Sequence, residues 1–450
     1  MISPARVAAY DILRTVNGSR TDLPAALARA RTNLTDERDR ALAGEIATGT
    51  LRWQAAFDHV IAAFAQRPIR RLDPEIVDVL RMTMFQLLHL TRVPASAAVD
   101  EAVKLAKKAG KRSAAPLVNA ILRRVSRERT KLPLPPRDAS PRDAALGYLG
   151  TTLSHPQWLV ARWLDRYGFD ATEAWCQFDN APAALTLRAN RLKTTPDELA
   201  VMLEEHRVAT RPARFAPDAL IVESGNPLRT PVANTGLFVV QDEASQVVTF
   251  MTDVQRGERV LDACASPGGK TTAMAAAMRD EGVIVAMDVR SRRVRLLADT
   301  VARSGARSVR VVHADASASG PFTIQFDCVL VDAPCSGLGT LRRDPDIRWR
   351  REEEDLAREA DVQLRLLEVL SEGVRPGGRL VYATCSSEPD ENDHVIDRFL
   401  SRHAEFRVSP PARLPASVEP LLESSGYLRT LPFRHGLEAF FAAALTRSSA

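Results

Sequence analysis

Residues 259–278 read RVLDACASPGGKTTAMAAAM. A short apolar strand around Val260 and Leu261 runs into a turn of small residues, and a helix opens directly after it. Gly268 and Gly269 let the backbone come close to a ligand, and amides at a helix N-terminus favour electron-rich groups. The same alternation continues on both sides. GLFVVQ (236–241), VIVAMDV (283–289), VRVVHAD (309–315), CVLVDAP (328–334), GRLVYATC (378–385) and FFAAALT (440–446) are apolar runs separated by helical stretches. Strands alternating with helices give a mostly parallel, doubly wound α/β sheet, expected here over 235–450. In such sheets ligands bind at the loops leaving the carboxyl ends of the strands.

Those loops carry the chemistry. The glycine turn resembles a phosphate-binding loop, but G-x-x-x-x-G-K-[ST] needs glycine where this chain has Cys264, so a phosphate cradle is disfavoured. The next strand ends at Asp288, nineteen residues after Gly269, an offset that suits an acid binding a ribose diol. Asp315 ends the following strand, in reach of an adenine amino group. A glycine turn, a ribose acid and an adenine acid without phosphate lysines fit S-adenosylmethionine better than ATP or NAD. A single Asp at a strand end is more often a helix N-cap. Cys335 in VDAPCSGLG (331–339) and Cys385 in VYATCSSEP (381–389) lie just past two further strands. Two thiols so placed suggest a nucleophile and a helper, although two packing cysteines would fit the same pattern. Cys328 and Cys176 read as packing residues, and Lys270 as a residue orienting the substrate or holding the Asp332 region by charge.

The chain has 450 residues, 45% of them hydrophobic and 26% charged, which predicts a globular protein of two or three domains. No stretch approaches the roughly 18 apolar residues of a membrane span, and the first residues carry no secretory pattern. The five cysteines form no Cys-x-x-Cys pair, so neither a metal site nor a disulfide framework is expected, and a reducing, cytoplasmic compartment is. Net charge is only +5, yet Lys104 to Lys131 hold ten basic residues against one acid, Glu128. Clustered positive charge suits a phosphate-backbone partner, and equally a solvated helix face.

Residues 1–130 read as an all-α domain. IVDVLRMTMFQLLHL (76–90) is apolar on most faces and should be a central buried helix. VDEAVKLAKKAG (99–110) ends at a glycine, and SAAPLVNAILRRVSRER (113–129) carries an apolar stripe with arginines opposite. The proline-rich segment 131–143 is expected to be a linker. Residues 144–234 read as a small mixed α/β subdomain, whose strand–loop–helix ALTLRANRLKTTPDELAVML (184–203) puts Arg188, Asn190 and Lys193 where RNA phosphates would lie.

LDACASPGGKTT (261–272), VDAPCSGLGT (331–340) and YATCSSEPDEN (382–392) together resemble the Sun, or nucleolar-protein, family of RNA 5-methylcytosine methyltransferases. The helical amino-terminal region, through VDEAVKLAKKAG and LVNAILRR (117–124), looks NusB-like and makes the chain similar to the family's bacterial 16S rRNA enzymes. The resemblance implies a Rossmann-like class I methyltransferase domain after the NusB-like domain and the small subdomain. It further implies that Cys264, Ala265, Ser266, Pro267, Gly268, Gly269, Lys270, Asp288, Asp315 and Asp332 line an S-adenosylmethionine pocket. Cys385 would be the nucleophile, Cys335 the residue aiding product release, and Asp332 the partner of the base. DNA cytosine methyltransferases put their nucleophile in the Pro-Cys position, here Cys335. Arg343 and Arg348 in LRRDPDIRWR (341–350) match a family stretch expected to contact RNA, where histidine usually replaces Asp344. RHGLEAFFAAAL (434–445) resembles a segment with Asp and Gly where this chain has Glu438 and Ala439. The expected partner is 16S rRNA and the expected state a monomer. The same chemistry on tRNA or another rRNA site, or a non-catalytic RNA-binding factor, are the alternatives.

Overall fold

The structure, a computed structural model, describes residues 2–318 and 324–449. The chain forms two compact units, Met1–Pro182 with Leu341–Glu353 and Ala183–Thr340 with Glu354–Ala450.

The first unit is helical. Its axis is the helix Pro74–His89, whose residues from Ile76 to Leu87 are buried except Arg81. A fully buried Leu or Ile contributes roughly 1.5–3 kcal/mol relative to exposure, and this helix buries a run of them. Asp78 survives inside that run because Arg14 and Asn17 donate to its two oxygens at 2.9 and 2.7 Å. Helix Glu37–Arg52 approaches so closely that a Cβ at Gly49 would lie 2.0 Å from the Phe85 ring. Helices Ala95–Lys108 and Ala115–Arg127 bury Val99, Leu105, Val118 and Leu122. Their outer faces leave Lys104, Lys107, Lys108, Arg123, Arg124 and Arg127 exposed, the split that their apolar spacing predicts. Of residues 131–143, expected as a linker, 131–141 lack helix and strand while helix Arg142–Gly147 begins within the rest, and Leu132 and Leu134 pack on this unit's core.

The second unit holds two sheets. Strands β1 (Thr186–Ala189), β2 (Ala209–Pro212), β3 (Ala219–Ser224) and β4 (Phe238–Val240) form an antiparallel sheet in the order β2-β3-β1-β4. The sequence reading placed GLFVVQ in the parallel sheet. Its strand instead pairs antiparallel with β1, Leu187 opposite Val240, because the distant 184–203 segment supplies its partner. Residues 144–234 therefore divide: helices Gln157–Tyr167 and Phe169–Asn180 lie in the first unit and the strands in the second.

The larger sheet comprises β5 (Arg259–Asp262), β6 (Val283–Asp288), β7 (Val309–His313), β8 (Phe326–Asp332), β9 (Val374–Thr384), β10 (Phe406–Val408), β11 (Leu428–Thr430) and β12 (Phe440–Arg447). The order is β10-β12-β9-β8-β5-β6-β7, with β11 also on β12. Strands β5 to β9 are mutually parallel, and β12 runs antiparallel to β9. This is the expected doubly wound, Rossmann-like arrangement. Strand order reverses between β5 and β8, so the crevice for a ligand lies beyond Asp262 and Asp332. Among the described residues no helix is long and apolar enough to cross a membrane.

Candidate active site

Strands β8 and β9 are parallel neighbours in register, Asp332 opposite Ala383, and the Ala333 amide donates to the Ala383 carbonyl at 2.9 Å. Each cysteine lies just past its strand end, so the register alone carries both to one edge. Their sulfurs are 3.2 Å apart. The loop after Cys335 folds back over Cys385: the Gly339 amide donates to the Cys385 carbonyl at 2.9 Å, and the Gly339 carbonyl accepts from Ala439 at 3.0 Å. Only glycine fits there, since a Cβ would stand 1.9 Å from the Ala439 oxygen. The Cys335 thiol is pushed well up, first by its hydrogen bond to Cys385, then by burial, with the charge of Glu391 adding to both.

Lys270 stands in the first turn of helix Gly269–Ala277, and its ammonium lies 2.7 Å from Asp332 Oδ2 and 3.2 Å from the Ser245 hydroxyl. Burial works against its charge, but the carboxylate of Asp332, then Cys385 and Asp262, outweigh that and raise its pKa. The expectation that Lys270 holds Asp332 by charge matches this geometry. A cavity of about 360 Å³ opens beside the pair, lined by Ala265, Ser266, Pro267, Gly269, Lys270 and Asp332, and also by Asp262. Gly268 takes φ +101°, which favours glycine, and any Cβ there would meet Leu297 at 3.0 Å.

Asp262 was missed by the sequence reading, although it ends strand β5 as Asp288 ends β6. It is buried, and its carboxyl is pushed up to about 7 by desolvation first; the Thr271 hydroxyl and Lys270 oppose this, while Asp332 and Asp288 add to it. Thr271 donates to Oδ2 at 2.6 Å, and Oδ1 has no hydrogen-bond partner among the described residues.

The remaining residues expected to bind cofactor or RNA are placed less simply. Asp288 and Asp315 do not line the cavity. Asp288 is buried and accepts the Arg290 amide at 3.0 Å. Asp315 is exposed, and the Ser317 hydroxyl and amide, at 2.7 and 2.8 Å, hold its carboxyl below the usual range. Both cap the turn that follows them, as strand-end acids commonly do. Cys264 is half-buried, and desolvation first, then the carboxylates of Asp332, Asp262 and Asp288, raise its thiol. Arg188 and Asn190, expected to face RNA, are instead buried, 5% and 2% exposed. Arg188 donates to Gln241 at 2.8 Å, to Thr272 at 2.7 Å and to the Gly269 carbonyl, while Asn190 donates to the Gly236 and Ser304 carbonyls. Lys193 spends its ammonium on the Thr235 and Arg303 carbonyls. These three side chains tie the antiparallel sheet to the glycine turn and to the end of helix Ser291–Ser304.

In the first unit Arg348 is likewise buried, donating to the carbonyls of Arg52, Ser154 and Asp179, and Arg343 is half-buried. An isolated reading of basic residues in polar loops cannot separate a phosphate contact from an internal joint. Cys328 and Cys176 are fully buried, as packing residues would be, and Glu438 is buried at the start of β12. Glu391, inside the quoted YATCSSEPDEN, was assigned no role, yet it is buried among bonds to both cysteine loops.

Three parts of the chain match known families: 249–446 the family described as 16S rRNA methyltransferase RsmB/F, 3–127 the NusB family, and 155–229 the ferredoxin-like domain of RsmF/B-like methyltransferases. The probable ribosomal RNA small subunit methyltransferase B of Bacillus subtilis is 34% identical over 421 residues, 93% of this chain and 92% of that protein. The crystal structure of PH0851 is similar at a TM-score of 0.81, with 28% identity and 99% of each chain covered. A methyltransferase homolog protein from Pyrococcus horikoshii gives a TM-score of 0.57 at 29% identity, covering 66% of this chain and 97% of its own. The chain belongs to the RsmB/F methyltransferase family.

Proposed function

We propose that this family member methylates carbon 5 of a cytosine in 16S rRNA, using S-adenosylmethionine, through a covalent Cys385–cytosine adduct resolved with help from Cys335. The observation that carries the reading is the pair of sulfurs 3.2 Å apart at adjacent strand ends, flanked by the Lys270–Asp332 ion pair.

The cavity suits the cofactor's chemistry. S-adenosylmethionine brings an ammonium, a sulfonium and an electrophilic methyl group. Asp262 offers a buried oxygen without a partner, Asp332 stands beside it on the cavity wall, and the glycine turn keeps Cβ atoms out of that wall. Asp262, Ala265–Gly269 and Asp332 would hold the group, with Asp288 at the adjoining strand end.

The protein's own part begins with Cys385. Carbon 5 of cytosine is too electron-poor to react unaided, and thiolate addition at carbon 6 makes it enamine-like. Lys270 supplies a buried positive charge whose field Cys385 shares, and the Cys335 thiol lies 3.2 Å from the Cys385 sulfur, within hydrogen-bond reach of it. A nucleophilic cysteine reacts as its thiolate, and a neighbouring positive charge suits that chemistry. Asp332 accepts from the exocyclic amine of the base, and a proton shared between its carboxyl and N3 stabilises the adduct. After carbon 5 is methylated its proton leaves to a neighbouring water, or to the Cys335 sulfur once that thiol has given up its own proton. The C–H electron pair then re-forms the 5,6 double bond, and Cys385 departs as thiolate. A base reached at carbons 5 and 6 has to be unstacked, so the target is single-stranded or flipped. The exposed cations of helices Ala95–Lys108 and Ala115–Arg127 support an RNA partner.

Bisulfite mapping of 16S rRNA from cells with and without the gene tests the reading. One cytosine losing its protection in the deletion strain is expected, and an unchanged map would defeat it.

A further inference from the structure

Each cysteine is followed by a serine, and both serines end on the same carboxylate. Ser336 donates its amide to Glu391 Oε1 at 2.7 Å and its hydroxyl to Oε2, and the Ser386 hydroxyl also donates to Oε2. Gln363 gives Oε1 its second bond at 2.9 Å, and with its other proton holds the Pro334 carbonyl at 3.0 Å. Four donors thus converge on one acid, which is the full accepting capacity of an ionised carboxylate. The acid is buried, and the Tyr382 hydroxyl fixes its backbone carbonyl at 2.6 Å. A carboxylate is costly to bury unless its bonds serve a purpose that an apolar side chain cannot.

The geometry points to Glu391 as the positioning residue of this site, one carboxylate that seats both cysteine loops and thereby sets the two sulfurs face to face. Strand register brings the loops to the same edge but leaves their side chains free to turn. The shared acid removes that freedom, because neither serine can shift without giving up a charge-assisted bond. It acts through Ser336 and Ser386, the residues that follow the two cysteines. The inference rests on the cysteine chemistry proposed above.

The test uses the full chain and two readouts. Phenylarsine oxide bridges two neighbouring sulfurs, and intact-mass measurement without RNA or methyl donor counts the bridged protein; Cys335→Ala is the unbridged control. Glu391→Ala, folded by circular dichroism, is expected to lose bridging and to lower kcat on the order of 100-fold with the KM for RNA unchanged. Glu391→Gln is expected to keep both, because its oxygen still accepts from Ser336 and Gln363 while its amide donates to hydroxyls that can reverse. Wild-type bridging and kcat in Glu391→Ala would overturn the inference, as would equal impairment in Glu391→Gln. If Glu391→Ala does not fold, Ser336→Ala with Ser386→Ala decides: loss of bridging supports the inference, and unchanged bridging with unchanged kcat overturns it. A wild type that bridges but transfers no methyl group to cytosine would defeat the proposed chemistry and leave the bridging result standing.

Discussion

The ammonium of Lys270 lies 2.7 Å from the carboxylate of Asp332, joining the helix after the glycine turn to the end of β8 across the point where strand order reverses. One side of this ion pair faces the cavity wall and the other feels the charge of Cys385. A single contact therefore couples the cavity to the thiol pair.

Lys270→Ala should leave Asp332 without its counter-charge. Breaking a fully buried pair costs about 3–5 kcal/mol, and the Asp332 side chain is 29% exposed, so a loss of about 1–3 kcal/mol is expected. Urea unfolding measures it. Lys270→Arg should recover most of the stability, and a Lys270→Ala protein as stable as the wild type would show that the pair carries little.

Cys335 and Cys385 should fail differently. With Cys335→Ala, incubation with RNA and methyl donor should build up a protein–RNA adduct that survives a denaturing gel. Cys385→Ala should bind RNA yet give neither adduct nor product. An adduct formed by Cys385→Ala would move the nucleophile to Cys335.

Arg188→Ala should weaken S-adenosylmethionine binding, because the buried guanidinium holds the Gly269 carbonyl and Thr272 after the glycine turn, where the cofactor is proposed to sit. RNA affinity should keep its salt dependence. Were Arg188 a phosphate contact, the slope of log K against log salt would fall by about 1. Isothermal titration against cofactor, and RNA binding at several salt concentrations, separate the two.

Asp262 sets a pH dependence. Burial first, with Asp332 and Asp288 adding, raises its carboxyl from 3.8 to about 7 in the folded protein, so the fold prefers the protonated form. The stability this contributes is complete below the unfolded value and is lost as pH climbs through the folded one. Asp262→Asn keeps the shape without the charge. Its stability relative to wild type should rise between pH 3.8 and about 7, by up to about 4 kcal/mol, and then level off. A difference that does not change with pH in urea melts would contradict the assignment.

Gly339→Ala would drive a methyl group against the Ala439 carbonyl at 1.9 Å. Overpacking of this kind costs about 1–3 kcal/mol, and here the shift is passed to the loop carrying Cys335. Both the melting temperature and kcat should fall. A normal kcat would show that the loop gives way without moving the thiol.

Local patterns in the sequence were enough for the helical first unit, the βα alternation, the glycine turn and the placing of both cysteines at strand ends. Each of these depends on residues within a few positions of one another: an apolar period of 3.6 or 2, a glycine at a positive φ, a small residue at a turn. The family motifs added the roles proposed for the two thiols. Tertiary structure decided which strands are neighbours and what each polar side chain meets. GLFVVQ pairs with β1 because a distant segment supplies the partner, and Arg188 and Asn190 turn inward because the carbonyls of Gly269, Gly236 and Ser304 accept from them there. Glu391 joins Ser336 to Ser386 only once β8 lies beside β9. The reason is that a hydrogen bond or an ion pair takes its meaning from the group opposite, and in a parallel sheet that group is brought in by a crossover many residues long.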